Sequence, residues 1–305
     1  MASQEEFKYN LIKSYCSVVP DSSIILNYVF NEEKFKPKID VFLQDVQRIG
    51  ITCEILPQIE IEITRKLAYA SQEYVKVLRK CRFFIRKLSG RELNTIQIGK
   101  ETLGILEKAF ACIFDEIQKT DYPKYVEKIH ALDIARIVET AAVLKLRMEL
   151  GRSSYSLEDF FTLLEKEFEQ KFIDFCNIKA SFLKELNAQL IKDKEVIQES
   201  EKLRDLLLKK CRITRPPDVK LLCQAITRMY SEDKWYALVS TDYTHLVDKR
   251  LEIDQFTLLT VSDPLYLIFH LDEKINIGLK PREVAAQLKI PYLSFMQKHD
   301  TSYIV

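Results

Sequence analysis

The chain has 305 residues, 47% of them apolar, with 46 Lys and Arg set against 45 Asp and Glu. That length suits one large domain or two ordinary ones, and the apolar share supplies a sizeable core and excludes wholesale disorder. Charges that nearly cancel exclude a global pull toward nucleic acid, so any electrostatic function must come from local clusters.

Residues 15–62 read as α/β material. YCSVV and ITCEIL are short strand-like runs. Between them Ile39, Phe42, Leu43, Val46 and Ile49 recur at helical spacing, and Gly50 follows as a C-terminal stop. From about 63 to 211 the pattern is nearly all helical, dense in Leu, Lys, Glu, Phe and Ala, with Pro123 its single proline. Breaks at LSGREL, near TDYPK, at GRSSYS and around IKDKE predict four or five long helices. Ser156 precedes Leu157, Glu158 and Asp159, an N-cap with acids in the first turn. The α/β pattern returns after RITRPPD. A helix is predicted over 218–230 through Leu221, Leu222, Ala225, Ile226 and Met229, followed by WYALVS and QFTLLTV as buried strands. PREVAAQLKI adds a last helix, read as a packing element and not as half of a helix-turn-helix.

Other composition counts narrow the chemistry. With six glycines and neither G-x-x-x-x-G-K-[ST] nor G-x-G-x-x-G, nucleotide-loop enzymes are disfavoured. The seven cysteines are scattered, odd in number and without C-x-x-C, which argues against zinc or a disulfide framework and for a reducing, cytoplasmic setting. The four histidines are isolated and read as surface or packing residues. MASQEEFKYN lacks the basic-then-apolar order of a signal peptide, and no run of about 18 apolar residues predicts a membrane span.

Acids fall at four ends of predicted α/β elements. Asp21 follows YCSVVP, and Asp242 follows WYALVS. Asp218 opens the helix leading to that second strand, and Glu60 and Glu62 enter the helix after ITCEIL. Each alone is explained as a cap or first-turn acid. Together they outline a pocket at the carboxyl edge of a parallel sheet, where open α/β folds bind ligands. Crowded carboxylates resist ionisation, and a hard divalent cation such as Mg²⁺ or Mn²⁺ relieves that repulsion. Glu60 and Glu62 point about 200° apart on a helix, so only one can face the pocket. Glu62 is preferred, because Ile59, Ile63 and Leu67 then lie toward the core. Asp133 in HALDIARIVETA is a weaker candidate, with no strand after it.

In this order the motifs resemble a PIN-domain ribonuclease. PDSSIIL is similar to the family's first motif, LPQIEIEITRKL to its second, PPDVKLLCQAI to its third and LVSTDYTHL to its fourth. The resemblance covers 15–66 and 212–275. It implies an α/β fold, a PIN-like three-layer α/β/α domain around a central parallel sheet. It also implies that Asp21, Glu62, Asp218 and Asp242 ligate Mg²⁺ or Mn²⁺ for catalysis, with Ser23 in support. The expected organisation is thus 15–66 and 212–275 as two parts of one domain, 67–211 as an all-α insertion and 276–305 as a C-terminal helical tail.

VKVLRKCRFFIRKLSGR carries seven basic residues and no acid, and KKCRITR adds a second cluster before Asp218. Val77, Cys81, Phe84 and Leu88 are predicted to pack inward. That leaves Arg79, Arg82 and Arg86, with Lys209, Lys210 and Arg212, as an expected contact surface for single-stranded RNA phosphates. The expected function is metal-dependent hydrolysis of RNA. The alternative is a non-catalytic scaffold that binds RNA or, through the helical insertion, a protein partner.

Overall fold

A computed structural model describes residues 4–121, 125–150, 155–192 and 201–290. Its helices and strands are, in chain order, α1 (Gln4–Tyr15), β1 (Cys16–Pro20), α2 (Ser22–Val29), α3 (Lys36–Ile49), β2 (Glu54–Ile55), α4 (Pro57–Ser89), α5 (Lys100–Lys119), α6 (Tyr125–Glu149), α7 (Leu157–Glu185), β3 (Gln189–Leu190), α8 (Glu201–Lys209), α9 (Pro216–Glu232), β4 (Trp235–Val239), α10 (Arg250–Thr257), β5 (Thr260–Ser262), α11 (Leu267–Asn276) and α12 (Pro281–Gln287). They form two compact units, Met1–Thr64 with Asn177–Val305, and Arg65–Cys176.

The first unit is mixed helix and strand around a small parallel sheet. CSVVP and WYALV are buried at every position, as strands covered on both faces require. β1 pairs with β4 from Cys16↔Trp235 to Pro20↔Val239, and β4 pairs with β5. β2 pairs with β3, and a lone parallel bridge between Val18 and Cys53 joins the β2 segment to β1. The order across the strands is therefore β3-β2-β1-β4-β5. Helices α1, α3 and α11 pack on one another, with α1 on β1 and α11 on β4 and β5. Helix α9, backed by α8, also packs on β4.

Gly50 closes α3 as the helical stripe predicts. Its φ of 67° lies in the left-handed region, and its N–H reaches back to Val46 and Gln47. Any Cβ there is strained, so Gly50→Ala is expected to cost about 1 kcal/mol. In a unit of this size that is a fall of roughly 2–4 °C in Tm, checked by a thermal melt.

The second unit is helical. Its core joins Tyr74, Leu78, Cys81 and Ile85 of α4 to Phe110 and Ile113 of α5, Val138 and Leu146 of α6, and Phe160, Phe161 and Phe168 of α7. Ser156 caps α7: its Oγ accepts from the Asp159 N–H at 3.1 Å, and Asp159 Oδ2 accepts from the Ser156 N–H at 3.2 Å.

Several boundaries differ from expectation. Residues 177–192 and 201–211 belong with the sheet, because α7 runs unbroken past Cys176 and β3 pairs beside β2. QFTLLTV is not one strand. Gln255–Thr257 end α10, Leu258 reverses the chain at φ 66°, and the strand begins at Thr260. ITCEIL pairs only around Cys53–Ile55. On α4 the inward stripe is rotated toward Leu78 and Ile85, which leaves Leu88 47% exposed. The predicted breaks near Pro123, Gly151 and Asp193 lie in part outside the described residues, as does the second half of the C-terminal tail, 291–305. No described helix is long and apolar enough to cross a membrane.

Candidate functional site

Strand β1 has β2 on one side and β4 on the other, so the chain order reverses between β1 and β4. In open parallel sheets ligands bind at the carboxyl ends of the strands flanking such a reversal. Asp21 and Asp242 stand at those two ends, tied together by the Asp21 N–H donating to Val239 O at 2.8 Å.

Asp21 caps α2 and is 5% exposed. Its Oδ1 accepts from the Ser22 N–H at 2.7 Å, and its Oδ2 accepts from Ser23 Oγ at 2.7 Å and Ser240 Oγ at 2.8 Å. Both hydroxyls also accept a backbone N–H of the loop after β4, Ser23 from Thr241 at 3.1 Å and Ser240 from Asp242 at 2.9 Å. Asn27 Nδ2 donates to Thr241 Oγ1 at 2.9 Å and completes this seam. Burial raises the Asp21 pKa, the two serine hydroxyls pull against it, and the Glu62 charge raises it further.

Asp218 occupies the first turn of α9, after Pro216 and Pro217 have fixed the start of the helix. It too is 5% exposed. Its Oδ2 is buried without a hydrogen-bond partner, the nearest cation being Arg215 Nε at 3.6 Å. Burial drives its pKa up to about 6. Arg215 opposes that shift, and the charges of Asp21, Asp242 and Glu62 add to it. Asp242 Oδ1 accepts from the His245 N–H at 3.1 Å and lies 3.0 Å from His245 Nδ1. Arg215 Nη1 donates to Asp242 Oδ2 at 2.8 Å.

The four predicted acids thus feel one another's charge. Glu62 acts on both Asp21 and Asp218, whereas Glu60 pairs with Lys179 at 2.9 Å. Ile59, Ile63 and Leu67 are buried, as the choice of Glu62 requires. Asp133 lies in the second unit, exposed and 3.8 Å from Arg136.

Other residues of the site were not singled out by the sequence. Ser240 lies inside LVSTD and Arg215 inside the second basic cluster, but their roles need the strand neighbours. His245 is isolated in the sequence, yet ligand atoms of Asp218, Asp242 and His245 lie within 4.8 Å of one another. Its only local signal is standing three residues after Asp242. Asp263, at the end of β5, is a further edge carboxylate. Burial alone would raise its pKa, but Tyr243, the Leu265 N–H and Lys38 outweigh that and lower it.

The basic residues divide between the units. Arg79, Arg82 and Arg86 are in the second, and Lys209, Lys210 and Arg212 are in the first. Arg82 faces Glu165 at 3.4 Å and stacks over Phe161, and Arg86 lies 3.3 Å from Glu92. Lys209 pairs with Asp205 at 2.6 Å.

An oxygen-rich donor set with one orphaned, buried carboxylate oxygen fits a hard divalent cation. The chain matches no protein-family model, no curated protein and no solved structure.

Proposed function

We propose that this chain is a PIN-like ribonuclease, which uses Mg²⁺ or Mn²⁺ to hydrolyse phosphodiester bonds of single-stranded RNA. The observation that carries the reading is Asp218. Its buried Oδ2 lacks a hydrogen bond amid three further carboxylates that raise its pKa. A carboxylate in that position is costly unless a cation satisfies it. The strand reversal beside Asp21 and Asp242, with separate helix groups on the sheet, supports the three-layer α/β/α reading.

Asp21, Glu62, Asp218 and Asp242 would hold the cation, with His245 as a further donor. A bound divalent ion polarises a water nucleophile and offsets charge gathering on the phosphoryl group. The chain's own residues orient the site. Ser23 on α2 and Ser240 just after β4 fix the Asp21 carboxylate, and Pro216 and Pro217 set the direction of Asp218. Arg79 and Arg86 on one unit, and Lys210 and Arg212 on the other, are the side chains for RNA phosphates. Arg82 is the weakest of the group, since two glutamates already neutralise it.

Arg215 favours a second reading, a binding module without turnover. It neutralises Asp242 from within the chain and lessens the need for an ion. Cleavage of end-labelled single-stranded RNA with Mn²⁺ or with chelator separates the two. Mn²⁺-dependent fragments that disappear in Asp242→Asn support the nuclease. Mn²⁺ binding without any fragments supports the module.

A further inference from the structure

The Arg215 guanidinium lies among the atoms that define the candidate cation site. Its Nη1 donates to Asp242 Oδ2 at 2.8 Å and stands 3.3 Å from His245 Nδ1, and its Nε is 3.6 Å from Asp218 Oδ2. These are the same three side chains whose ligand atoms gather within 4.8 Å. An oxygen or nitrogen lone pair engaged by a guanidinium N–H is not open to a metal ion. The two cations therefore draw on one set of donors.

We propose that Arg215 is a tethered competitor of the divalent ion, and that its departure from Asp218, Asp242 and His245 sets the ion concentration at which the site loads. The proposal rests on the metal reading above and adds a regulatory element to it.

The local sequence supplies the device. Arg215 is the N-cap of α9, extended at φ −83° and ψ 121°, and Pro216 and Pro217 follow it. A proline restricts the residue before it to extended backbone, so the main chain is held. Release must then run through the torsions of the arginine side chain alone. A path exists, because that side chain is 36% exposed while the Asp218 side chain is 8% exposed. Charge decides the direction of exchange. One guanidinium cannot balance Asp21, Glu62, Asp218 and Asp242 together, whereas a divalent ion offsets twice the charge and can be approached by several donors at once. Arginine stays protonated at any working pH, so the competition has no proton switch of its own.

The test is Mn²⁺ binding to the full chain at pH 7.5. Free Mn²⁺ is followed by electron paramagnetic resonance, and Tm is measured with chelator and with saturating Mn²⁺. Parent, Arg215→Gln, Arg215→Lys and Asp242→Asn are compared. Removing a partly exposed charge-assisted bond should let Arg215→Gln bind Mn²⁺ about five- to tenfold more tightly. Arg215→Lys, which keeps a cation on the same tether, should fall between that variant and the parent. With chelator Arg215→Gln should melt below the parent, and Mn²⁺ should raise its Tm by the larger increment. If Arg215→Gln is unfolded without the ion, recovery of its melt on adding Mn²⁺ also supports the exchange. Equal or weaker affinity in Arg215→Gln, with binding still lost in Asp242→Asn, overturns the competition and leaves the metal site standing. Absence of Mn²⁺ binding in every protein overturns both.

Discussion

Asp21→Asn and Asp242→Asn are each expected to lower Mn²⁺-dependent RNA cleavage by about 10²–10³-fold while leaving the protein folded. That magnitude is the usual loss when one electrostatic partner of a reacting centre is removed. The substitution keeps the shape of each side chain. At position 21 an amide oxygen still accepts from the Ser22 N–H, and the Ser23 and Ser240 hydroxyls can turn to accept from the new NH₂ group. At position 242 the oxygen facing the His245 N–H is likewise retained. At position 21 only charge is removed, which in a crowded acidic site relieves repulsion, whereas at position 242 the hydrogen bond from Arg215 Nη1 to Oδ2 is lost as well and offsets that relief. Glu60→Gln and Asp133→Asn serve as controls and are expected to cleave like the parent, since Glu60 pairs with Lys179 and Asp133 lies on an exposed face of the other unit. Initial cleavage rates with melts of each variant check the prediction. Parental rates in both Asp variants would remove the site assignment. A fall of several degrees in Tm with chelator would return Asp21 and Asp242 to the role of caps.

How much of this was legible in the sequence depends on the range of the interactions involved. β1 and β4 were readable because strands buried on both faces need continuous apolar runs, and α3 because its stripe ends at a glycine. The acids were readable because an Asp after such a run is conspicuous. β3 was not: Gln189 and Leu190 both expose their side chains, so pairing with Glu54 and Ile55 leaves no apolar pattern. The end of α10 was hidden for another reason. Leu258 takes a left-handed conformation that a leucine does not advertise, so QFTLLTV reads as strand throughout. The second division between the units falls inside α7, one continuous helix, so no cap or loop marks it in the sequence. The partners within the site were hidden by distance along the chain. Ser240 reaches Asp21 across more than two hundred residues, and Arg215 becomes informative only when β4 brings Asp242 beside it.

Asp218→Asn is expected to raise stability at pH 7.5 in chelator, by on the order of 2–3 kcal/mol, and to flatten the fall of stability between about pH 4 and pH 6. The sign follows from the raised pKa. An ordinary aspartate gives up its proton near 3.8, whereas Asp218 in the folded chain holds it to about 6. Between those values the folded state binds more protons than the unfolded state, so stability falls as pH rises through the window. Above it the penalty of the buried charge is present in full. Asn carries no such charge. Asp21, whose pKa is also raised, keeps contributing in the same direction, so the slope should diminish by about one proton and not vanish. The opposite outcome follows if Asp218 is only a first-turn acid on α9. Then Asn would lose the favourable interaction with the helix terminus and lower stability by about 0.3–1 kcal/mol at pH 7.5. The two accounts differ in sign, which chemical denaturation at pH 4.5, 6 and 7.5 resolves. Mn²⁺ supplies a second axis. An ion present at about a hundred times its Kd stabilises the folded parent by about 2.7 kcal/mol. Asp218→Asn, lacking the orphaned carboxylate oxygen that the ion would satisfy, should gain much less. The parent should therefore overtake the variant in stability as Mn²⁺ is added. An equal gain in both proteins would place the ion somewhere other than Asp218.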